Sequence, residues 1–386
     1  MKLSVILLLC FSISWASVYA QDDLKKFEFD GYLFGLGYRV FDKNIKPADN
    51  FQIYNRLNFY YNFSAYSRLT LQFRNTIYGG KSYQDNQSIF AKMMDTDPRA
   101  LDLSWNAFEN SNLLLNINVD RLNYRYSKEK FEFTVGRQRI NWGQTLVWNP
   151  NDIFNASSFF DFDYVERPGS DAVRVVYYST NTTHWDLAAK VDSAGRITAA
   201  LKYGFNKKNY DIQLLGGVAN KDLVAGIGWA GNLWKLGFKG EASVFSPVWD
   251  TLDKTVVSLT AALDYSFQNG LYVLVQVLYA GQDELSTASN PFSGQFTQLS
   301  ARNLSFTEWN IISQASYGFS PLFNASFAVG YYPEYDALIL FPNLSYSVRK
   351  NLDINVVHQN LSFLNKSKSG GLSAMNILYF GLKYYF

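Results

Sequence analysis

Four carboxylates crowd the segment FDFDYVERPGSD: Asp161, Asp163, Glu166 and Asp171. Hard oxygen ligands at this density could hold calcium, and a carboxylate pair could hydrolyse a glycosidic bond. Their order matches no known calcium-loop spacing, and Arg137, Arg139 and Arg167 offer salt bridges instead. A hydrolase of another kind would need a histidine beside a serine or aspartate. The chain has two histidines. His184 falls in a short connection, and His358 shares its parity with Leu352, Ile354 and Val356, which puts it on an outward face. Neither has an evident base–nucleophile partner. No phosphate loop, zinc pattern or nucleotide fingerprint occurs. Neither an enzyme nor a cofactor or metal is expected. The remaining concentration of functional groups is GRQRINWGQTLVWNPNDIFN, residues 136–155, with its arginines, tryptophans and asparagines.

What could position such groups is bounded by the ends and composition of the chain. Met1 and Lys2 precede an apolar run ending in Val18-Tyr19-Ala20, the pattern of a secretory signal peptide cleaved after Ala20. Cys10, the sole cysteine, lies inside that run, so the exported chain can form no disulfide. Leu9 is not the small residue that a lipoprotein signal would want. Without Lys2, 34 basic residues face 33 acidic ones, which gives no nucleic-acid signal. About 366 residues remain, 17% of the whole chain is aromatic, and no apolar run after residue 20 is long enough for a transmembrane helix.

Alternation fills the rest. Phe51, Ile53, Leu57, Phe59, Tyr61 and Phe63 share one parity, and Gln52, Arg56, Asn58 and Asn62 the other. Leu69, Leu71, Phe73 and Ile77 oppose Arg68, Thr70, Gln72 and Arg74. Val257, Leu259, Ala261 and Leu263 oppose Ser258, Thr260 and Asp264. Period two means a strand with one apolar and one wet face. Such strands at about twenty residues per strand and turn predict an all-β, antiparallel, up-and-down transmembrane barrel of about eighteen strands, or sixteen. The barrel is expected over 21–386. Every second connection is short, as at Ala65-Tyr66, Ser320-Pro321 and Arg349-Lys350. The long ones, 79–116, 141–170, 281–307 and 361–373, all belong to the other set. Alternation starts within about ten residues of Gln21, leaving no room for the plug domain of an energised transporter, so passage should be passive. The last strand, NILYFGLKYYF, resembles the C-terminal signal read by the barrel-assembly machinery, with Leu378, Phe380, Leu382, Tyr384 and Phe386 on one face.

Lipid tolerates charge badly, so parity assigns Arg39, Arg56, Arg68, Arg74, Arg121, Arg125 and Arg174 to the lumen. Asp186, Asp211, Glu241, Asp264 and Asp353 follow in later strands with Lys202 and Lys239. Two readings stand: the charges pair and solvate one another, or a basic wall favours anionic or polyhydroxylated solutes. Phe131, Phe133 and Val135 share parity with Arg137 and Arg139. A bulge or kink near Gly136 is therefore expected to turn both arginines inward. Beyond it Asn149-Pro150-Asn151-Asp152 reads as a helix start. Trp142, Trp148, Phe154, Phe159 and Phe160 need burial, and Gln138, Asn141, Gln144, Asn149 and Asn155 need partners. A constriction or plug loop over 141–170 meets both needs; a loop that only braces the barrel is the alternative. The expected pore-lining or constriction residues are Arg56, Arg74, Arg125, Arg137, Arg139, Asn141, Trp142, Trp148 and Arg174.

VDRLNYRYSKEKFEFTVGRQRINWG, residues 119–143, resembles the strand–turn–strand pattern with Gly-Arg-Gln and then Asn-Trp-Gly seen in Bacteroidetes-type, porin-like outer-membrane barrel proteins. The motif covers about a tenth of the chain. The resemblance implies a porin-like channel in the outer membrane of a Gram-negative bacterium, reached through the periplasm, and carries over no catalytic residue. Partners would be the lipid bilayer and lipopolysaccharide, the assembly machinery through Phe386, and small hydrophilic solutes. The alternatives are a structural or adhesive barrel without conduction and a barrel hydrolase.

Overall fold

A computed structural model describes residues 25–42, 46–155, 166–248, 254–281, 300–305, 307–365 and 374–386. The expected signal peptide, Asp161, Asp163, Phe159 and Phe160 lie outside the described residues. The described strands form one sheet. In chain order they begin β1 (Phe27–Asp42), β2 (Ala48–Ser64), β3 (Ser67–Gly80), β4 (Ser104–Glu109), β5 (Leu113–Lys128) and β6 (Phe131–Gln138). Next come β7 (Ser170–Tyr178), β8 (His184–Val191), β9 (Ile197–Lys207), β10 (Tyr210–Ala219), β11 (Asp222–Leu233), β12 (Leu236–Pro247) and β13 (Val256–Ser266). The series ends with β14 (Tyr272–Ala280), β15 (Trp309–Ser320), β16 (Phe323–Tyr332), β17 (Ala337–Arg349), β18 (Leu352–Phe363) and β19 (Met375–Tyr385).

Every strand pairs antiparallel with its neighbours, and β1 pairs with both β2 and β19, so the sheet closes. Closure is completed where Gly31 and Phe386 exchange backbone hydrogen bonds of 3.1 and 3.0 Å. β4 stands apart, because β3 pairs directly with β5. The wall is thus an eighteen-stranded antiparallel barrel, with β4 as an extra short segment. Closure leaves neither β1 nor β19 with a free edge, which a barrel in lipid requires.

The alternation sorts side chains as period two demands. Along β13, Val256, Ser258, Thr260 and Ala262 are buried while Val257, Leu259, Ala261 and Leu263 are exposed. On β19 Leu378, Phe380, Leu382 and Tyr384 are exposed, with Phe386 following. One expectation needs correcting. Arg39 shares parity with Leu33 and Phe41, not with buried Tyr32, Phe34 and Leu36, so it stands on the outer face. There it is exposed and paired with Asp49 at 2.5 Å. The inner face is also not uniformly wet. Phe34, Leu36, Leu274, Leu278, Ile312, Phe341, Val357 and Tyr379 form an apolar belt inside β14 to β19 and β1, together with Val147 and Trp148.

β6 and β7 are short because the chain leaves the wall after Gln138. The backbone kinks at Gly136, with φ +105°, but pairing to β5 and β7 runs through it with no register shift, so the expected bulge is not what turns the chain. A Cβ there would stand 2.2 Å from the Leu122 carbonyl oxygen, so only glycine fits. Pairing to β5 continues past the kink, with Arg137 opposite Leu122. Above β6, the place beside β5 is taken by β4, which pairs with residues 114–118 of β5. A bridge between Arg99 and Asp192 continues the patch to the end of β8. Two helices, α1 (Lys81–Asp85) and α2 (Gln87–Asp95), precede it, and their core of Tyr83, Ala91 and Leu114 fastens them to β5. None of these three elements was anticipated for the long connection 79–116.

Candidate functional site: the inward loop and the lumen wall

The segment 139–155 lies inside the barrel against the inner faces of β7 to β14. Part of the wall there is made of small residues, so the backbone of the loop can come close. Ala172, Ala188, Ala200 and Val224 form one buried cluster with Ile140, Trp142, Ile153 and Phe154 of the loop. Gly226 on β11 extends this seat, since a Cβ in its place would be 2.5 Å from Asn151 Oδ1.

Glu241, a fully buried carboxylate of β12, is the centre of the attachment. Its Oε1 accepts the backbone N–H groups of Gln144 at 2.5 Å and Thr145 at 2.9 Å, and its Oε2 accepts that of Asn151 at 2.9 Å. Two glutamines complete the grip. Gln213 of β10 donates to the Trp142 carbonyl at 2.7 Å and accepts from Gln144 at 3.0 Å. Gln276 of β14 accepts the Val147 N–H and donates to the Trp148 carbonyl, both at 3.0 Å. Buried backbone groups outside regular structure are here satisfied by the wall. Sequence reasoning placed Glu241 on the lumen side but missed its role. The available signal was its inward parity at mid-strand.

The expected helix start at 149–152 is a single turn instead, closed by Asp152 N–H to the Asn149 carbonyl at 3.0 Å. The reason is competition: Asn149 Oδ1 already accepts the Thr145 N–H at 3.1 Å, and the Asn151 N–H is held by Glu241. Asp152 is buried beside this turn. Burial pushes its carboxyl up to about 6, against the opposing charges of Arg139 and Lys190.

The expected site residues separate into groups. Trp142 donates its indole N–H to Asp186 at 2.8 Å, and Arg174 reaches the same carboxylate at 2.7 Å. Lys202 stands 3.5 Å from it. Trp148 packs on the apolar belt. Arg56 is buried and ion-paired with Asp120, and donates to Gln72 at 2.5 Å. Arg74 lies over the Tyr54 ring at 4.8 Å. Arg125 pairs with Glu132 at 2.5 Å. Asn141 is exposed and accepts the Gly143 N–H at 3.1 Å. Arg137 and Arg139 do not form one inward pair: Arg139 is exposed, whereas Arg137 is 0% exposed within the wall.

Carboxylates meet most of the lumen arginines. Besides the pairs above, Arg68 meets Glu28 at 2.6 Å, and on the opposite side Lys239 meets Asp264 at 3.0 Å. Arg121 donates to the carbonyls of Glu166 and Arg167, each at 2.8 Å, and so ties the returning end of the loop to β5. Asp171 pairs with Arg137 at 2.7 Å, and Glu166 accepts from Tyr32 at 2.9 Å. His184 sits against Gly204, whose Cβ would be 2.3 Å from the imidazole. His358 is paired in register with outward-facing Leu378.

No protein-family model and no curated protein matches this chain. Solved structures do. The chain is similar to OccK11 (OpdR) of Pseudomonas aeruginosa, with a TM-score of 0.58 and 8% identity over 94% of this chain and 96% of that one. OccAB3 of Acinetobacter baumannii gives 0.58 and 12% over 94% and 100%. OpdK of Pseudomonas aeruginosa, in a crystal structure with vanillate, gives 0.57 and 10% over 94% and 99%. The architecture is shared along nearly the whole of both chains. At these identities the likeness concerns the fold.

Proposed function

We propose that the chain is a channel in the outer membrane of a Gram-negative bacterium, through which small hydrophilic solutes diffuse. The inward loop is the observation that carries this reading. Its backbone is held by Glu241, Gln213 and Gln276 from the wall, an arrangement that narrows a barrel at a fixed height. An apolar outer band supports membrane placement: Leu187, Leu201, Leu214, Ile227, Val244 and Leu259 are all exposed. Aromatic residues flank it near the short turns, among them Phe63, Tyr66, Phe131, Trp185, Phe267 and Phe319. OpdK with vanillate provides a similar barrel alongside a small polar organic acid. Kinship with Bacteroidetes-type porin-like barrels, export through the periplasm and assembly through Phe386 belong to the same proposal. Carboxylates beside Arg56, Arg68, Arg125 and Arg174 favour weak charge selectivity over a strongly basic wall.

Planar-bilayer conductance tests the reading. The purified protein should give discrete steps, and Glu241→Ala should make them larger and noisier by releasing three loop N–H groups. Identical steps in the variant would remove the loop from the conduction path. The apolar belt favours a second reading, a structural barrel without conduction, and a folded protein that gives no steps would support it.

A further inference from the structure

We propose that the inner face of β15, β16 and β17 near the short-turn end is a docking subsite for an uncharged polyhydroxylated solute, a sugar or polyol. The proposal rests on the channel reading above. β15 and β16 carry no charged residue, and β17 carries only Arg349 at its last position. This contrasts with the charge pairs along β2 to β8. Register builds two rungs across the three strands. Ser316 stands opposite Ser326 and Ser326 opposite Asn343; one step lower, Gly318 stands opposite Asn324 and Asn324 opposite Ser345. These residues line a cavity of about 160 Å³. The apolar belt begins one step higher, where Ala328 stands between Gln314 and Phe341.

One atom of the lining stands out. Asn343 Oδ1 is enclosed and accepts no hydrogen bond among the described residues. An enclosed carboxamide oxygen is unfavourable until a donor reaches it. A solute hydroxyl supplies that donor when the Asn343 carboxamide turns into the cavity, and it can accept in turn from Ser316, Ser326 or Ser345. Tyr272, opposite Ser316 on β14, is half-buried and packs against the apolar belt beside the rungs. An anion would meet no counter-charge on β15 or β16.

Single-channel current with rising D-glucose on the short-turn side tests the subsite, with gluconate as the charged comparison. Glucose should reduce the current saturably and gluconate less so. Asn343→Leu should raise the half-saturating glucose concentration about tenfold, the cost of one lost hydrogen bond and a newly apolar wall. If that variant does not fold, Ser326→Val and Ser345→Ala should shift it in the same direction. A reduction that never saturates would overturn the subsite while leaving the channel intact. Equal saturation in wild type and variants, or stronger saturation by gluconate, would do the same. A folded protein without steps would overturn both.

Discussion

Arg137 shows how a cation can be enclosed in this wall. Its guanidinium donates to Asp171 through two nitrogens at 2.7 and 2.9 Å, and to Asp97 at 2.9 Å. The carbonyls of Val119 and Leu101 accept at 3.0 and 2.6 Å. Asp97 also receives Arg99 at 2.5 Å, so two cations face two carboxylates. Burial would raise the Asp97 carboxyl, but Arg99 and Arg137 outweigh it and hold it below the ordinary carboxylate range. The stability Asp97 contributes is therefore present above that range and is lost only as pH falls through its lowered folded value. Arg137→Ala strands Asp171 and leaves Asp97 to Arg99 alone, and should cost about 3–5 kcal/mol in urea unfolding from vesicles. Arg137→Lys should recover only part, because an ammonium cannot reproduce the fork. A loss near zero in Arg137→Ala would show that the corner is held by β4 alone. The sequence marked Arg137 as unfit for lipid. It could not show which carboxylates would collect it, since Asp97 lies 40 residues away in the chain.

At the scale of elements, strands were legible and the long connections were not. Period two recurs through β2, β3 and β13, and the short turns between strands limit where each begins and ends. Connection 79–116 has no sustained period, and α1, α2 and β4 exist there because the wall beside β5 must be filled once β6 leaves it. The turn at Asn149 failed as a helix for the same kind of reason, a tertiary partner overriding a local pattern. The loop also has a pH dependence that its burial dictates. In the docked loop Asp152 titrates near 6, whereas an undocked aspartate does so near 3.9. Between these values the docked form binds the extra proton, so docking strengthens as pH falls from neutral and weakens as it rises through 6. Current fluctuations from loop opening should be fewer at pH 5 than at pH 7.5. Asp152→Asn should narrow the difference between the two pH values. Fluctuations that increase on acidification would show that Asp152 leaves the seat charged.

The whole molecule depends on its two faces meeting different surroundings, and this is what the alternation encoded most directly. Outward Leu259 lies between inward Ser258 and Thr260, the first exposed and the others buried. The outer band is largely apolar although its residues come from many strands, as a shared lipid environment would require. The inner face is divided instead. Charge pairs line β2 to β8, a docked loop covers β7 to β14, and neutral hydroxyl and amide groups occupy β15 to β17 below the apolar belt. Parity could say which side chains point in, but not how they divide the interior, because that depends on closure and on where the loop folds back. A charge placed outside should therefore behave unlike any of those within. Leu259→Arg, near mid-strand, should lower the unfolding free energy in vesicles by about 2–4 kcal/mol, since lipid offers it no counter-charge. Moving the same substitution to Val257, nearer the rim, should reduce the loss, because the penalty falls toward the interface. Equal and negligible losses at the two sites would mean that water covers the outer face, and a barrel so covered could not be a membrane channel.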